Sequence, residues 1–320
     1  MELKKGLYEH VLNREINQLI NENAEDIDVI KEIIGYVDAD LVLATYLSKV
    51  LRKGLNYYRS SDKGVMKQVK IANEIISHFA ELIEDEDFKD YTIPEKVVLK
   101  GIFNKEQANK RVRPSSSVAY SFLFTGNTNI YNELKKEILS ADRVDLLVSF
   151  IKFTGLRLLM DSLIEHTKTK KLRVLTTSYM SATDYRAIED LARLPNTEIR
   201  ISYDTKRTRL HAKAYYFHRE TGFSTAYIGS SNISYSALTA GTEWNMKVSE
   251  YTSPDVIEKI RAAFASYWNS NDFVAFNINK RKDRNRLKLS LKSNGKAPAQ
   301  TVLFNIRPYA YQQEILDRLE

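Results

Sequence analysis

The sequence predicts an α/β protein in which a mixed sheet is flanked by helices and preceded by an all-helical N-terminal domain. Three observations lead there. Residues 1 to about 105 place their apolar side chains at helical spacing. From about residue 118, short apolar runs alternate with amphipathic stretches, the pattern of a mostly parallel or mixed sheet covered by helices on both faces. A chain of 320 residues is long for one domain, and its 43% hydrophobic content is enough to bury a core, so two or more units are expected.

In the first region, Leu43, Tyr46, Leu47, Val50 and Leu51 mark one helix, with Asp38 or Asp40 available to cap it, and Val65 to Ile83 marks another. Their Tyr and Leu stripes read as core. The acidic run Glu84 to Asp87 and then Pro94 break the pattern, and the polar segment Asn104 to Ser117, with Arg111 and Arg113, reads as a connection. Strands follow at Val144 to Phe150, Leu172 to Thr177, Glu198 to Tyr203, Leu210 to Phe217 and Thr225 to Ile228. Helices are expected at Gly155 to Glu165, Ala182 to Leu191 and Asp255 to Trp268. The expected boundaries are a helical domain over 1–105, an α/β domain over 118–275, a basic linker over 276–300 and the start of a further domain over 301–320.

Charge is concentrated. The net +7 is carried by Lys280 to Lys296, which holds eight Lys or Arg and one Asp, and the rest of the chain balances. That run reads as a solvated linker, with direct DNA contact as the alternative. Within it, the alternation of Leu287, Leu289 and Leu291 with charged residues suggests a short edge strand. There are no cysteines, which excludes disulfides and thiolate zinc sites, and five scattered histidines offer no metal cluster. Met1 to Gly6 contains no apolar signal core and no run approaches a membrane span, so a cytoplasmic location and no membrane partner are expected.

Chemistry concentrates in His211-Ala212-Lys213, Gly229-Ser230-Ser231-Asn232 and Glu243. These residues supply basic and amide donors for phosphate oxygens, an imidazole able to act as nucleophile, and a carboxylate able to orient it. Period-2 geometry on a strand puts His211 and Lys213 on one face. The second strand ends in a turn where glycine permits close backbone approach and Ser and Asn supply short polar arms. Lys206, Arg207 and Arg209, just before His211, are candidates to hold a nucleic-acid backbone.

His211-x-Lys213, Gly229-Ser230-x-Asn232 and Glu243 together resemble the HKD signature of the phospholipase D superfamily, and Tyr215-Tyr216-Phe217 supplies the apolar strand that the family shows after its lysine. One position departs: His218 stands where the family usually has an aspartate, followed by a longer loop from Arg219 to Ser224. The resemblance implies a metal-free, two-step exchange. One histidine attacks phosphorus, a second protonates the leaving oxygen, and water releases the phosphohistidine. His211 would be nucleophile and, from a second subunit, general acid; Lys213, Ser230 and Asn232 would bind phosphate and Glu243 would orient His211. The physical logic is independent of the family: imidazole titrates near neutrality, and lysine and asparagine donors stabilise developing charge without a metal ion. His166-Thr167-Lys168 also fits the bare His-x-Lys pattern, but it sits at the polar end of an apparent helix and no Gly-Ser-x-Asn follows it. With one motif per chain, a complete centre requires a homodimer.

At the tail, Ile306 to Leu316 resembles the opening of a superfamily 2 helicase domain, where Gln312 would contact adenine. The chain ends at Glu320 inside an apparent helix, and no Gly-x-x-x-x-Gly-Lys-Ser/Thr loop occurs, so a motor using ATP and Mg is expected downstream. The whole resembles the N-terminal part of bacterial DEAD/DEAH-box helicases that carry a phospholipase D-like nuclease. That implies a DNA phosphodiesterase needing no cofactor for cleavage. The alternatives are a catalytically dead DNA-binding or dimerisation module and, behind it, a lipid phosphodiesterase.

Overall fold

The computed structural model describes residues 4–8, 11–59, 62–103, 112–125, 130–204 and 210–293. Two compact units divide at Ile102/Phe103. The first is helical: α1 (Arg14–Glu22), α2 (Ala39–Asn56) and α3 (Asp62–Ile83), followed by a 3-10 turn over Glu86–Tyr91. Asn13 caps α1 through its side chain, which accepts from Ile16 N at 2.9 Å. Asp38 occupies the N-cap of α2 without a side-chain bond, and Asp40 lies in that helix's first turn. Asn73 ties the chain before Pro94 back to α3, donating to Ile93 O at 3.0 Å and accepting from Ile93 N at 2.8 Å. The stripe expected to be core does not close over: Leu43, Leu47, Val50 and Leu51 are all exposed.

The second unit is built on one eight-stranded sheet, comprising β1 (Phe122–Phe124), β2 (Arg143–Val148), β3 (Lys171–Thr177), β4 (Thr197–Ser202), β5 (Lys213–His218), β6 (Thr225–Gly229), β7 (Asn245–Ser249) and β8 (Phe273–Phe276). Its order is β1-β7-β6-β5-β2-β3-β4-β8; β2, β3 and β4 run parallel and every other pairing is antiparallel. The helices are α4 (Ile130–Ser140), α5 (Phe153–Thr167), α6 (Tyr185–Ala192), α7 (Tyr235–Leu238), α8 (Pro254–Asn269) and α9 (Arg281–Ser293).

Alternation along the strands divides the core. Val144, Leu146 and Val148 of β2, with Tyr215 and Phe217 of β5, meet Leu134 and Ile138 of α4, Leu156, Leu159 and Leu163 of α5 and Ile188 of α6. On the other face, Leu147 and Leu175 meet Phe264 and Trp268 of α8, while Tyr216, Ala226 and Val248 meet its Ile257. Buried charge is paired on both faces. Asp145 accepts Arg173 Nε at 2.6 Å and Nη2 at 2.5 Å, and that guanidinium lies over Phe264 and Trp268. Under the opposite face, Glu137 of α4 accepts Arg219 (2.5 Å), Thr225 (2.9 Å) and Tyr227 (2.9 Å) and pairs with Lys247 at 3.0 Å. Burial alone would push the Glu137 carboxyl up, but Arg219 and then Lys247 outweigh it and hold it below its ordinary value.

Two expectations are corrected. Leu287, Leu289 and Leu291 lie on helix α9, not an edge strand, because Leu287 and Leu291 are also one helical turn apart and seat the element on the main core. The described part of the 276–300 segment is therefore docked structure up to residue 293. The strand expected from Leu210 begins at Lys213, because its partner ends at Val148, which pairs with Lys213.

Candidate active site

The sheet reverses its order at β2. From β2 the chain steps through β3 to β4 on one side, then returns to place β5 on the other side of β2. In open α/β sheets the crevice at the carboxyl ends of strands flanking such a reversal is where ligands bind. Because β5 runs antiparallel to β2, its beginning, His211 to Lys213, lies at that end, together with the end of β6 and the start of β7.

His211 and Ala212 are exposed residues leading into β5, while Lys213 is buried on the strand itself. Lys213 Nζ lies 3.0 Å from His211 Nδ1 and 3.1 Å from Nε2, and donates to His211 O at 2.6 Å. The ammonium thus faces the edge of the imidazole between its two nitrogens. Burial pulls the Lys213 amine below its ordinary pKa, and the negative charge of Glu243 opposes that fall. Glu243 is half-buried and acts on this lysine through its field; among the described residues no hydrogen bond joins it to His211.

The Gly-Ser-Ser-Asn turn is fixed by contacts that leave no room for another shape. A Cβ on Gly229 would stand 2.1 Å from Trp244 O and 2.7 Å from Asn245 Cα, so glycine is what lets β6 and β7 close together here. Ser230 N donates to Trp244 O at 3.1 Å and Ser230 Oγ accepts from Trp244 N at 3.1 Å. Ser230 is thereby held at the rim, with its hydroxyl engaged by backbone. Ser231 faces inward, its carbonyl accepting Tyr215 Oη at 3.0 Å and its hydroxyl accepting Asn245 Nδ2 at 2.8 Å.

Asn232 is buried, and its Oδ1 accepts Phe150 N at 3.1 Å just beyond β2. That bond sets the amide's orientation and leaves Nδ2, without a partner among the described residues, as the available donor. The turn is stitched to the same segment by Lys152 N donating to Ile233 O at 2.7 Å, and α5 packs so closely on it that a Cβ on Gly155 would lie 2.4 Å from Ser234 Cα.

The structure thus brings His211 and Lys213 into contact and fixes Asn232 at the same end of the sheet by its bond to Phe150 just past β2, with Ser230 at the rim and Glu243 within electrostatic reach of Lys213. Two further residues lie here, Ser149, whose hydroxyl points to Ala212 O at 3.5 Å, and Trp244, 62% exposed beside Ser230; Tyr215, on the strand after the lysine, has its phenol pKa raised by burial. Only Trp244 carried a sequence signal, its adjacency to Glu243. Lys206, Arg207 and Arg209 lie outside the described residues, as do Gln312 and the whole of 301–320.

His218, the departure from the motif, sits at the far end of β5 opposite Arg143, about 17 Å along the strand from Lys213, so it does not touch this crevice. His166 is buried at the end of α5 with Nε2 against Lys171 O at 3.2 Å, and Lys168 pairs with Glu165 at 2.5 Å; the second His-x-Lys is part of the scaffold. Among the described residues, no group of three or more His, Asp or Glu side chains is placed to hold a metal ion.

Residues 134–268 match the family described as cardiolipin synthase, PLD-like domain. No curated protein sequence matches the chain. Among solved structures, NucT from Helicobacter pylori is 17% identical over 49% of this chain and 99% of its own length, with a TM-score of 0.40. Nuc from Salmonella typhimurium, a phospholipase D family member, is 16% identical over 49% and 99%, with a TM-score of 0.39. The archaeal chromatin protein TrmBL2 is 13% identical over 71% and 67%, with a TM-score of 0.31.

Proposed function

We propose, from the PLD-like domain that residues 134–268 form, that this protein is a metal-independent phosphodiesterase that cleaves DNA through a phosphohistidine on His211. The observation that carries the reading is the Lys213 ammonium in contact with the His211 imidazole, at the same end of the sheet as an Asn232 amide whose Nδ2 has no partner among the described residues. These are a nucleophile and two phosphate donors at the reversal point of the sheet.

In the first step a ring nitrogen of His211 forms a bond to phosphorus, and the P–O bond to one strand end breaks. The leaving oxygen takes a proton from the imidazolium of a second copy's His211. In the second step water attacks the phosphohistidine, giving its proton to that now neutral imidazole, and the N–P bond breaks. Lys213 and Asn232 Nδ2 hold the non-bridging oxygens, where charge grows in the transition state. Ser230 contributes from the rim. Glu243 keeps Lys213 charged and, once substrate draws Lys213 away, takes the proton-bearing nitrogen of His211.

A single motif supplies one histidine, so the centre is shared by two copies about a twofold axis. DNA as substrate, and a helicase-type motor following this segment, rest on the resemblance of the motif and of Ile306 to Leu316. A dead binding module is the second reading, favoured by the absence of a Glu243–His211 hydrogen bond. Among the described residues no helix is long and apolar enough to cross a membrane.

The test is cleavage of labelled single-stranded and duplex DNA in EDTA, with sedimentation of the same preparations. Metal-free cleavage by a dimer supports the reading; binding without turnover supports the second; an active monomer overturns the shared centre.

A further inference from the structure

Helix α9 carries six Lys or Arg against a single acid, Asp283. Leu287 and Leu291 seat it on the main core, and the Ser181 hydroxyl donates to Leu291 O. Two of its cations rest on rings of the core: Arg286 lies 4.1 Å from the Tyr203 ring centre and Lys288 lies 4.7 Å from that of Tyr185. The helix is therefore seated on the core by packing, a hydrogen bond and two cation–ring contacts. Helical periodicity turns Arg281, Lys282 and Lys292 away from the seated face, and all three are exposed. Arg281, Lys282 and Lys292 form no ion pair among the described residues.

The direction of the helix gives this charge a destination. Strand β8 runs away from the carboxyl end of β4, Phe273 opposite Ser202 and Phe276 opposite Ile199. Helix α9 then returns, so that Arg286 meets Tyr203 just past β4 and Leu291 meets Ser181 just past β3. From Arg281 to Lys292 it covers about 16 Å. It ends on the side of the sheet that carries His211, with Tyr203 three strand spacings from β5, about 14 Å.

We infer that the exposed face of α9 is a track for a nucleic-acid backbone, leading a strand to the His211 centre. The inference rests on the phosphodiesterase reading for that centre and names how its substrate is held. Cations repeated along a ridge with Asp283 as the one acid on the helix match repeated phosphates, whereas the one diester of a lipid would meet one of them. A membrane-bound helix would show an apolar band beside its cations, and here Leu289 alone points outward.

The full chain, the triple variant R281Q/K282Q/K292Q and the charge-keeping triple R281K/K282R/K292R are compared for binding to a labelled 20-nucleotide single strand between 50 and 500 mM salt. Melting curves check that each is folded. Each backbone cation contributes about 0.7 to the slope of log affinity against log salt on a single strand, so the Gln triple flattens the slope by about 2. With affinities equal at 1 M salt, it binds about 100-fold more weakly at 0.1 M, and the charge-keeping triple restores wild-type behaviour. Should the Gln triple not fold, Lys292→Gln alone flattens the slope by about 0.7.

An unchanged slope overturns the track. So does loss of binding in the charge-keeping triple, or an effect confined to phosphatidylglycerol vesicles with DNA affinity intact. Wild-type hydrolysis of bis(p-nitrophenyl) phosphate tests the centre separately: its absence refutes the phosphodiesterase reading, while the slopes still decide the track.

Discussion

Gly229→Ala tests how tightly the fold builds the phosphate turn. The new methyl would stand 2.1 Å from Trp244 O, 2.6 Å from Asn245 Oδ1 and 2.7 Å from Asn245 Cα. The first distance is more than about 1 Å inside contact. Neither backbone atom can withdraw cheaply, because Asn245 is paired to Gly229 on one side and to Phe124 of β1 on the other. Overpacking of this kind costs about 1–3 kcal/mol, and parting β6 from β7 also weakens the Ser230–Trp244 hydrogen bonds at about 1 kcal/mol each. The sum is about 3–5 kcal/mol, or a fall in Tm of about 6–20 °C for a unit of this size. Both tryptophans, Trp244 and Trp268, belong to the second unit, so their fluorescence in urea follows its unfolding. Turnover should fall as well, since Ser230 and Asn232 ride on the same turn. A stability loss under about 0.5 kcal/mol would refute the claim that this close approach forces glycine.

Further outcomes follow from the charges and caps. Glu243→Gln removes the negative field that raises the Lys213 amine against burial, so the alkaline limb of the pH–rate profile moves to lower pH; an unmoved limb contradicts that coupling. Glu137→Gln leaves Arg219 and Lys247 buried beside a neutral amide and costs about 3–5 kcal/mol in urea unfolding. Burial lowers the His166 imidazole below 6.5, so the unfolded chain binds its proton first; stability is full above that pH and declines as pH falls, a decline that His166→Asn should diminish. Gly54→Ala, inside α2 with open space around it, should stabilise the helical unit by about 0.5–1 kcal/mol by circular dichroism.

How much was legible in the sequence depended on how far burial followed simple periodicity. Strands β2, β3 and β4 are sandwiched between helices, so they appear as apolar runs whose limits the sequence marks to within two residues. Helix α4 escaped notice because its inward face carries Glu133 and Glu137, which are tolerable there because partners remote in sequence, Arg219 and Lys247 with Ser115, Ser116, Thr225 and Tyr227, pair with them. Helix α9 was obscured by its own charge: leucines at 287, 289 and 291 fit either period, and the lysine and arginine stems that flank them hide the seated face. Among the site residues, strand alternation put His211 and Lys213 on one face, whereas in the structure β5 starts at Lys213 and the contact arises from that lysine reaching back to a histidine ahead of the strand. The Asn232 bond to Phe150 N and the Ser230 bonds to Trp244 depend on strand order, which no local pattern encodes.

The proposed mechanism turns on a covalent phosphohistidine at His211. The most direct measurement is mass spectrometry of protein quenched during turnover of labelled DNA in EDTA, beside His211→Ala. The wild type should carry an acid-labile phosphoryl adduct on the peptide containing residue 211, and the variant neither adduct nor cleavage. Cleavage that survives His211→Ala, or that requires a divalent ion, would contradict that mechanism.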